Sequence, residues 1–143
     1  MAAPHHHAYV WLGSGDVLVK PGDAHRRPDH PEFRSAQMMP LVCADWLLKP
    51  AARIEATFEE AEKAADWLAG QLVEYAGLFV GSCVPEPSYE ETVRVLTAGE
   101  DRVGGWWVSG GRFLSLNLIA CGPHRARPER VCPLRWPAGG DPR

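Results

Sequence analysis

No run of about eighteen apolar residues occurs in this 143-residue chain, which argues against a membrane-spanning helix. Its first residues lack a basic stretch followed by an apolar one, so no secretory signal is expected. The four cysteines are then expected as reduced thiols in a reducing, cytoplasmic setting. Lysine is scarce, with three against twelve arginines, while Ala, Gly and Pro are abundant. That bias fits a GC-rich bacterial genome or a phage of such a host. No repeat of fixed period is present. The glycine-rich stretches 13–16 and 109–112 lack the lysine, hydroxyl and following helix of a phosphate loop, so both read as hairpin turns.

Net positive charge is also missing from most of the chain. The net charge is −3, but residues 122–143 carry +3 and residues 1–121 carry −6. An acidic body repels phosphate, so nucleic-acid contact is expected only through the tail, if at all. The division follows: one α+β domain over 1–121, and a basic Pro/Arg-rich tail over 122–143. The hydrophobic share of 45% is that of an ordinary globular protein, long enough to bury a real core.

Periodicity supplies the elements. Residues 8–20 read as a hairpin, and 21–37 as a long irregular loop. The apolar stretch 38–48 reads as an edge strand interrupted by Pro40, and 53–56 as a short strand. Thr57 with Glu60 has the capping-box pattern, and Ala61, Ala64, Ala65, Leu68, Leu72, Tyr75 and Ala76 draw one apolar stripe before Gly77. Residues 78–80 read as a short strand that 81–84 extend until Pro85, and Ser88 with Glu91 opens a short second helix that Gly99 ends. Strands 102–108 and 112–120 pair around Ser109-Gly110-Gly111, with Leu114, Leu116, Leu118 and Ala120 on the core face. The expected fold is a single mixed or mainly antiparallel sheet with one long and one short helix on one face. A ferredoxin-like two-layer sandwich is one topology for that order.

Four groups of residues could carry chemistry. Cys121-x-x-His124 with Cys132 offers three zinc ligands, and Cys83, Cys43, His25 or His30 could complete the set. Only one close ligand pair is present, where structural zinc sites usually show two, so the expectation is no cofactor, with zinc as the exception. His5, His6 and His7 read as a disordered terminus. His25, Arg26, Arg27 and His30 fall in the long loop with Asp29, and could act as base and anion clamp. Cys83 ends an apolar stretch but lacks the setting of a nucleophile elbow, and reads as a buried thiol.

The adjacent Trp106 and Trp107 must point to opposite faces of a strand, so one of them needs a cover other than the core. Tryptophan is enriched at interface hot spots. With Arg112, Arg125, Arg127 and Trp136, this pair suggests a docking surface for another protein. By elimination, the sequence reads as a non-enzymatic interaction module of inhibitor, immunity, adaptor or accessory-subunit type. The alternatives are a small-molecule-binding protein or enzyme using the His25/His30 loop, and a nucleic-acid accessory factor using the tail.

Overall fold

The computed structural model describes residues 4–19, 21–80 and 84–135. Its elements are β1 (His5–Ser14), α1 (Asp16–Val19), β2 (Ala56–Phe58), α2 (Ala61–Glu74), α3 (Tyr89–Thr97), β3 (Arg102–Val108) and β4 (Arg112–Cys121). The four strands form one antiparallel sheet in the order β2-β1-β4-β3. The fold class is α+β, as expected. The two longer helices follow one another between β2 and β3, so the alternating strand–helix order of a ferredoxin-like sandwich is not found. No helix among the described residues is long and apolar enough to cross a membrane.

The long strands β1 and β4 run side by side along ten paired positions, from His5 opposite Cys121 to Ser14 opposite Arg112. The β3–β4 hairpin is the one its alternation predicts. Gly110 and Gly111 turn it at φ 78° and 67°, which side chains other than glycine rarely adopt. Leu114, Leu116 and Leu118 are fully buried against Ala64, Leu68 and Leu72 of α2 and Leu96 of α3. Each such leucine contributes about 1.5–3 kcal/mol by leaving water. Ser88 caps α3 by accepting the Glu91 N–H at 3.2 Å.

The other face of the sheet is buried as well. Tyr9, Trp11, Ile119 and Cys121 pack there beneath Trp46 and Leu47 and beside Cys132. The cover comes from stretch 38–48, which is not the expected edge strand: Cys43–Leu48 forms a 3-10 helix. It also comes from Cys132, on the segment beyond β4.

Other boundaries move for identifiable reasons. The hairpin expected over 8–20 does not form, because β1 spends its edges on β4 and β2, and residues 16–19 turn into α1. The strand expected at 53–56 falls at Ala56–Phe58. That pairing draws Thr57 opposite His7, so Thr57 cannot cap α2, and Glu60 stands at the N-cap without a side-chain bond. Tyr75, not Gly77, closes α2. Residues 78–80 leave a 3-10 turn and form no strand. Cys83 lies outside the described residues.

The loop after β1 is held by cations. Lys49 is fully buried, and its Nζ donates to the carbonyls of Phe33 at 2.7 Å and Ala36 at 2.9 Å while sitting 4.1 Å from the Phe33 ring centroid. Arg53 donates to Ala36 and Gln37 carbonyls of the same loop. Loop 21–37 is thus pinned from beneath by side chains, with a 3-10 helix Pro21–Arg26 at its start.

Candidate metal centre

His5 and His7 lie two residues apart on a strand, so both project to the same face of the sheet. Register brings Cys121 opposite His5, at the last pair of the β1–β4 ladder. Directly opposed residues have their Cβ atoms about 4.5–5.5 Å apart. Beyond Cys121 the chain turns at Gly122, whose φ is 87°, and returns Cys132 to the same place. The result is a buried quartet, His5, His7, Cys121 and Cys132, whose ligand atoms lie within 4.8 Å of one another.

The distances inside it are informative. His5 Nε2 and His7 Nε2 are 3.1 Å apart. Cys132 Sγ lies 3.4 Å from His7 Nε2 and 3.6 Å from His5 Nε2. A tetrahedral zinc with Zn–N of about 2.05 Å and Zn–S of about 2.3 Å has edges of about 3.3 Å between nitrogens and about 3.6 Å between nitrogen and sulfur. The three measured separations match those edges within a few tenths of an ångström. Two thiols and two imidazoles are also the donor set that suits zinc in a tetrahedral site.

His7 is held from behind. His7 Nδ1 is 2.8 Å from Thr57 Oγ1. With the ring proton on Nδ1 and donated to Thr57, the Nε2 lone pair faces the quartet. Histidine ligands of metals are oriented in this way. Burial, followed by the neighbouring His5 and His6, pushes the His7 imidazole down to about 4, so the ring is neutral and able to ligate near neutral pH. His6 points the other way, with Nε2 on the Glu100 carbonyl at 2.9 Å, and burial lowers its pKa too. A cavity of about 450 Å³ borders the quartet at His5 and Cys121 and is ringed by Glu59, Glu60 and Glu62.

The structure therefore places the proposed cysteine ligands together but not the proposed histidine. His124 is buried and pairs instead with Asp101, Nε2 to Oδ2 at 2.9 Å. Its Nδ1 accepts the N–H groups of Ala126 and Arg127 at 3.2 and 3.0 Å, so both ring nitrogens are occupied. Asp101 Oδ1 also accepts the Ala120 N–H at 2.8 Å. His124 thus fastens the start of the C-terminal segment to the sheet. The expectation that His5, His6 and His7 form a disordered end is overturned, because all three are buried in β1. The signal for them was His5-x-His7 at strand period.

Other candidate residues fall apart from this centre. His25 and His30 meet edge to face with ring centroids 4.3 Å apart, and His25 Nε2 lies 3.2 Å from Glu32 Oε1. These three side chains form a second group of possible ligands, half-buried to exposed. There, however, His30 Nδ1 accepts the Glu32 N–H at 3.0 Å, which puts the ring proton on Nε2. A metal would have to displace either that proton or that bond. Arg26 donates to the Met39 carbonyl at 2.9 Å, and Arg27 is exposed. Cys43 is half-buried beneath the loop, with its thiol pKa raised by burial, and is not among the quartet.

The tryptophan pair behaves as strand geometry requires. Trp106 turns inward, half-buried, with its ring centroid 6.3 Å from that of Phe79. Trp107 turns outward at 60% exposure, edge-on to Phe113. Arg112 bonds back to the Ser109 carbonyl at 3.1 Å, Arg125 pairs with Glu100 at 3.2 Å, and Arg127 is 3.9 Å from Glu129. Trp136 lies outside the described residues.

No protein-family model, curated protein or solved structure matches the chain.

Proposed function

We propose that the protein binds one zinc ion through His5, His7, Cys121 and Cys132, in a closed structural site that staples residues 122–135 to the sheet. The observation that carries this reading is the convergence of four buried ligand atoms within 4.8 Å, from the first strand, the last strand and the returning segment. Four protein ligands and no open position suit a structural role rather than catalysis. Thr57 behind His7 supports it further. Such a site requires free thiolates, which accords with a reducing compartment such as the cytoplasm. Metal analysis of the purified chain tests the reading: it predicts one zinc per chain, lost when Cys121 and Cys132 are both replaced by serine. Zinc content that the double substitution leaves unchanged would contradict it.

We further propose that this stapled scaffold serves as a protein-interaction module rather than an enzyme. Exposure of Trp107 on the edge strand β3 favours that reading, with Val103 also exposed on the same strand. Replacing Trp107 by serine should leave folding intact and abolish recovery of a bound protein. Equal recovery by both chains would contradict this role.

A further inference from the structure

The sheet face that carries the metal quartet also holds a cavity that no quartet residue lines. Along β4 the side chains of Phe113, Ser115 and Asn117 project to that face, and Gly105 of β3 stands opposite Ser115. Glycine and serine fill little of the space there. A Cβ at Gly105 would come within 2.4 Å of Phe113 Cζ, so the missing side chain lets the Phe113 ring lie over that position. Trp46, Met39 and Cys43 of the covering stretch form the facing wall. The cavity measures about 230 Å³, with the exposed Val103 and Leu41 at its rim. A cavity of about 150 Å³ holds a benzene ring, so this one has room for a ring with a substituent.

Its walls are mainly apolar, and its buried polar groups come from β4. Asn117 is 4% exposed and Ser115 2%. The Asn117 amide nitrogen donates to Ser115 Oγ at 2.8 Å and to the Tyr9 carbonyl at 3.4 Å. The Tyr9 carbonyl can only accept, so the amide nitrogen must be the atom that faces it. Both amide protons are thereby committed, and Oδ1 receives no hydrogen bond from any described residue. Ser115 accepts from Asn117 and keeps its own proton to donate. An unmatched acceptor therefore stands beside a hydroxyl donor in an apolar cavity. Ligand sites are commonly built in this way, with apolar walls and a few polar groups that fix orientation. No carboxylate of the described residues lines the cavity, so a cation has no partner there. A carboxylate ligand would set its own oxygen against Asn117 Oδ1.

We propose that this cavity binds a small, flat, uncharged molecule with an N–H donor next to a carbonyl, as in an aromatic amide or a lactam. The N–H donates to Asn117 Oδ1, the carbonyl accepts from the Ser115 hydroxyl, and the ring packs against Trp46 and Phe113. The proposal is independent of the zinc reading and of the docking role of Trp107.

Benzamide is the probe, and acetophenone, which has the same shape and carbonyl but no N–H, is its control. Cys43 supplies the readout, because its half-buried thiol lines the cavity while Cys121 and Cys132 are buried in the quartet. The chain as purified is titrated with each probe, and alkylation of Cys43 by iodoacetamide is followed by peptide-resolved mass spectrometry. The expected result is saturable protection by benzamide at millimolar concentration, with acetophenone at least about tenfold weaker because the buried acceptor is then left unmatched. Asn117→Leu should erase that difference. No protection by benzamide overturns the proposal, and so does equal protection by both probes in the natural chain. Where Asn117→Leu does not fold, the two probes on the natural chain decide alone. Where Cys43 is too slow to alkylate, the Asn117 side-chain amide resonances follow the same titration. Shifts that saturate with benzamide and respond more weakly to acetophenone support the site, and unmoved resonances overturn it.

Discussion

His7 Nε2 lies 3.4 Å from Cys132 Sγ across 125 residues of sequence. This contact joins the first strand to a segment that follows the last one. Little else in that segment is apolar, and its exposed Val131 and Leu134 flank the buried Cys132. A metal at this contact would close nearly the whole chain into one loop. Zinc in large excess over its dissociation constant should therefore raise stability by about 4 kcal/mol at a thousandfold excess. For a chain of this size that corresponds to roughly 10 °C in Tm. Thermal unfolding with zinc and with a chelator measures it, and a Tm that responds to neither would count against the site.

The same segment has a second anchor in Arg130, whose Nη2 and Nε donate to Asp45 Oδ1 at 2.7 and 3.2 Å. Asp45 is buried, so removing the arginine leaves a carboxylate without its cation. Arg130→Ala should cost about 3 kcal/mol, at the low end for a broken buried pair because Arg130 itself is partly exposed. Asp45→Asn together with Arg130→Met should cost less than Arg130→Ala alone. Urea unfolding of the three chains checks this, and a neutral Arg130→Ala would show that the pair contributes nothing.

Lys49 gives a pH signature. Burial, helped by Arg53, pushes its ammonium down to about 8. Between that value and the ordinary lysine range the unfolded chain holds a proton that the folded chain has released. Stability should therefore rise with pH across that window through this group, and the penalty should be complete below it. The full effect is about 3 kcal/mol. Other groups titrate in the same window, so the measurement is the difference between the natural chain and Lys49→Met from pH 7 to 10.5. A difference that does not change with pH would refute the depressed ammonium.

Much of the fold was legible because its strongest signals are local. The leucines 114, 116 and 118 alternate, the stripe through Leu68 and Leu72 keeps helical period, and Ser88 is three residues before Glu91. The opposite face was not legible, because its cover is a 3-10 helix and an irregular segment, neither with a period to read. Thr57 misled for a related reason: its capping pattern competed with a strand pairing to His7 that only the tertiary fold supplies. At the site, Cys121 and Cys132 could be named from the sequence. His124 was the nearer histidine in sequence, yet its two nitrogens serve Asp101 and two backbone amides. His5 and His7 were overlooked because a run of histidines at a terminus resembles an unstructured end, and nothing local shows that β4 lies alongside.

Ligand substitutions should separate structure from metal. His7→Ala and Cys132→Ser each remove one of four ligands and should weaken zinc binding by at least a hundredfold, while His124→Ala should leave zinc content at one per chain and lower stability by about 1–3 kcal/mol through loss of its buried bonds. Competition with a chromophoric chelator and thermal unfolding distinguish the two classes. Loss of zinc on His124→Ala with retention on His7→Ala would reverse the assignment.

The most direct test is elemental analysis of the chain purified without added metal, paired with the absorption spectrum of its cobalt(II) form. The arrangement of His5, His7, Cys121 and Cys132 predicts one zinc per chain and intense visible bands of tetrahedral cobalt with sulfur charge transfer in the near ultraviolet. A metal-free chain that takes up no zinc and gives only the weak spectrum of hydrated cobalt would contradict it.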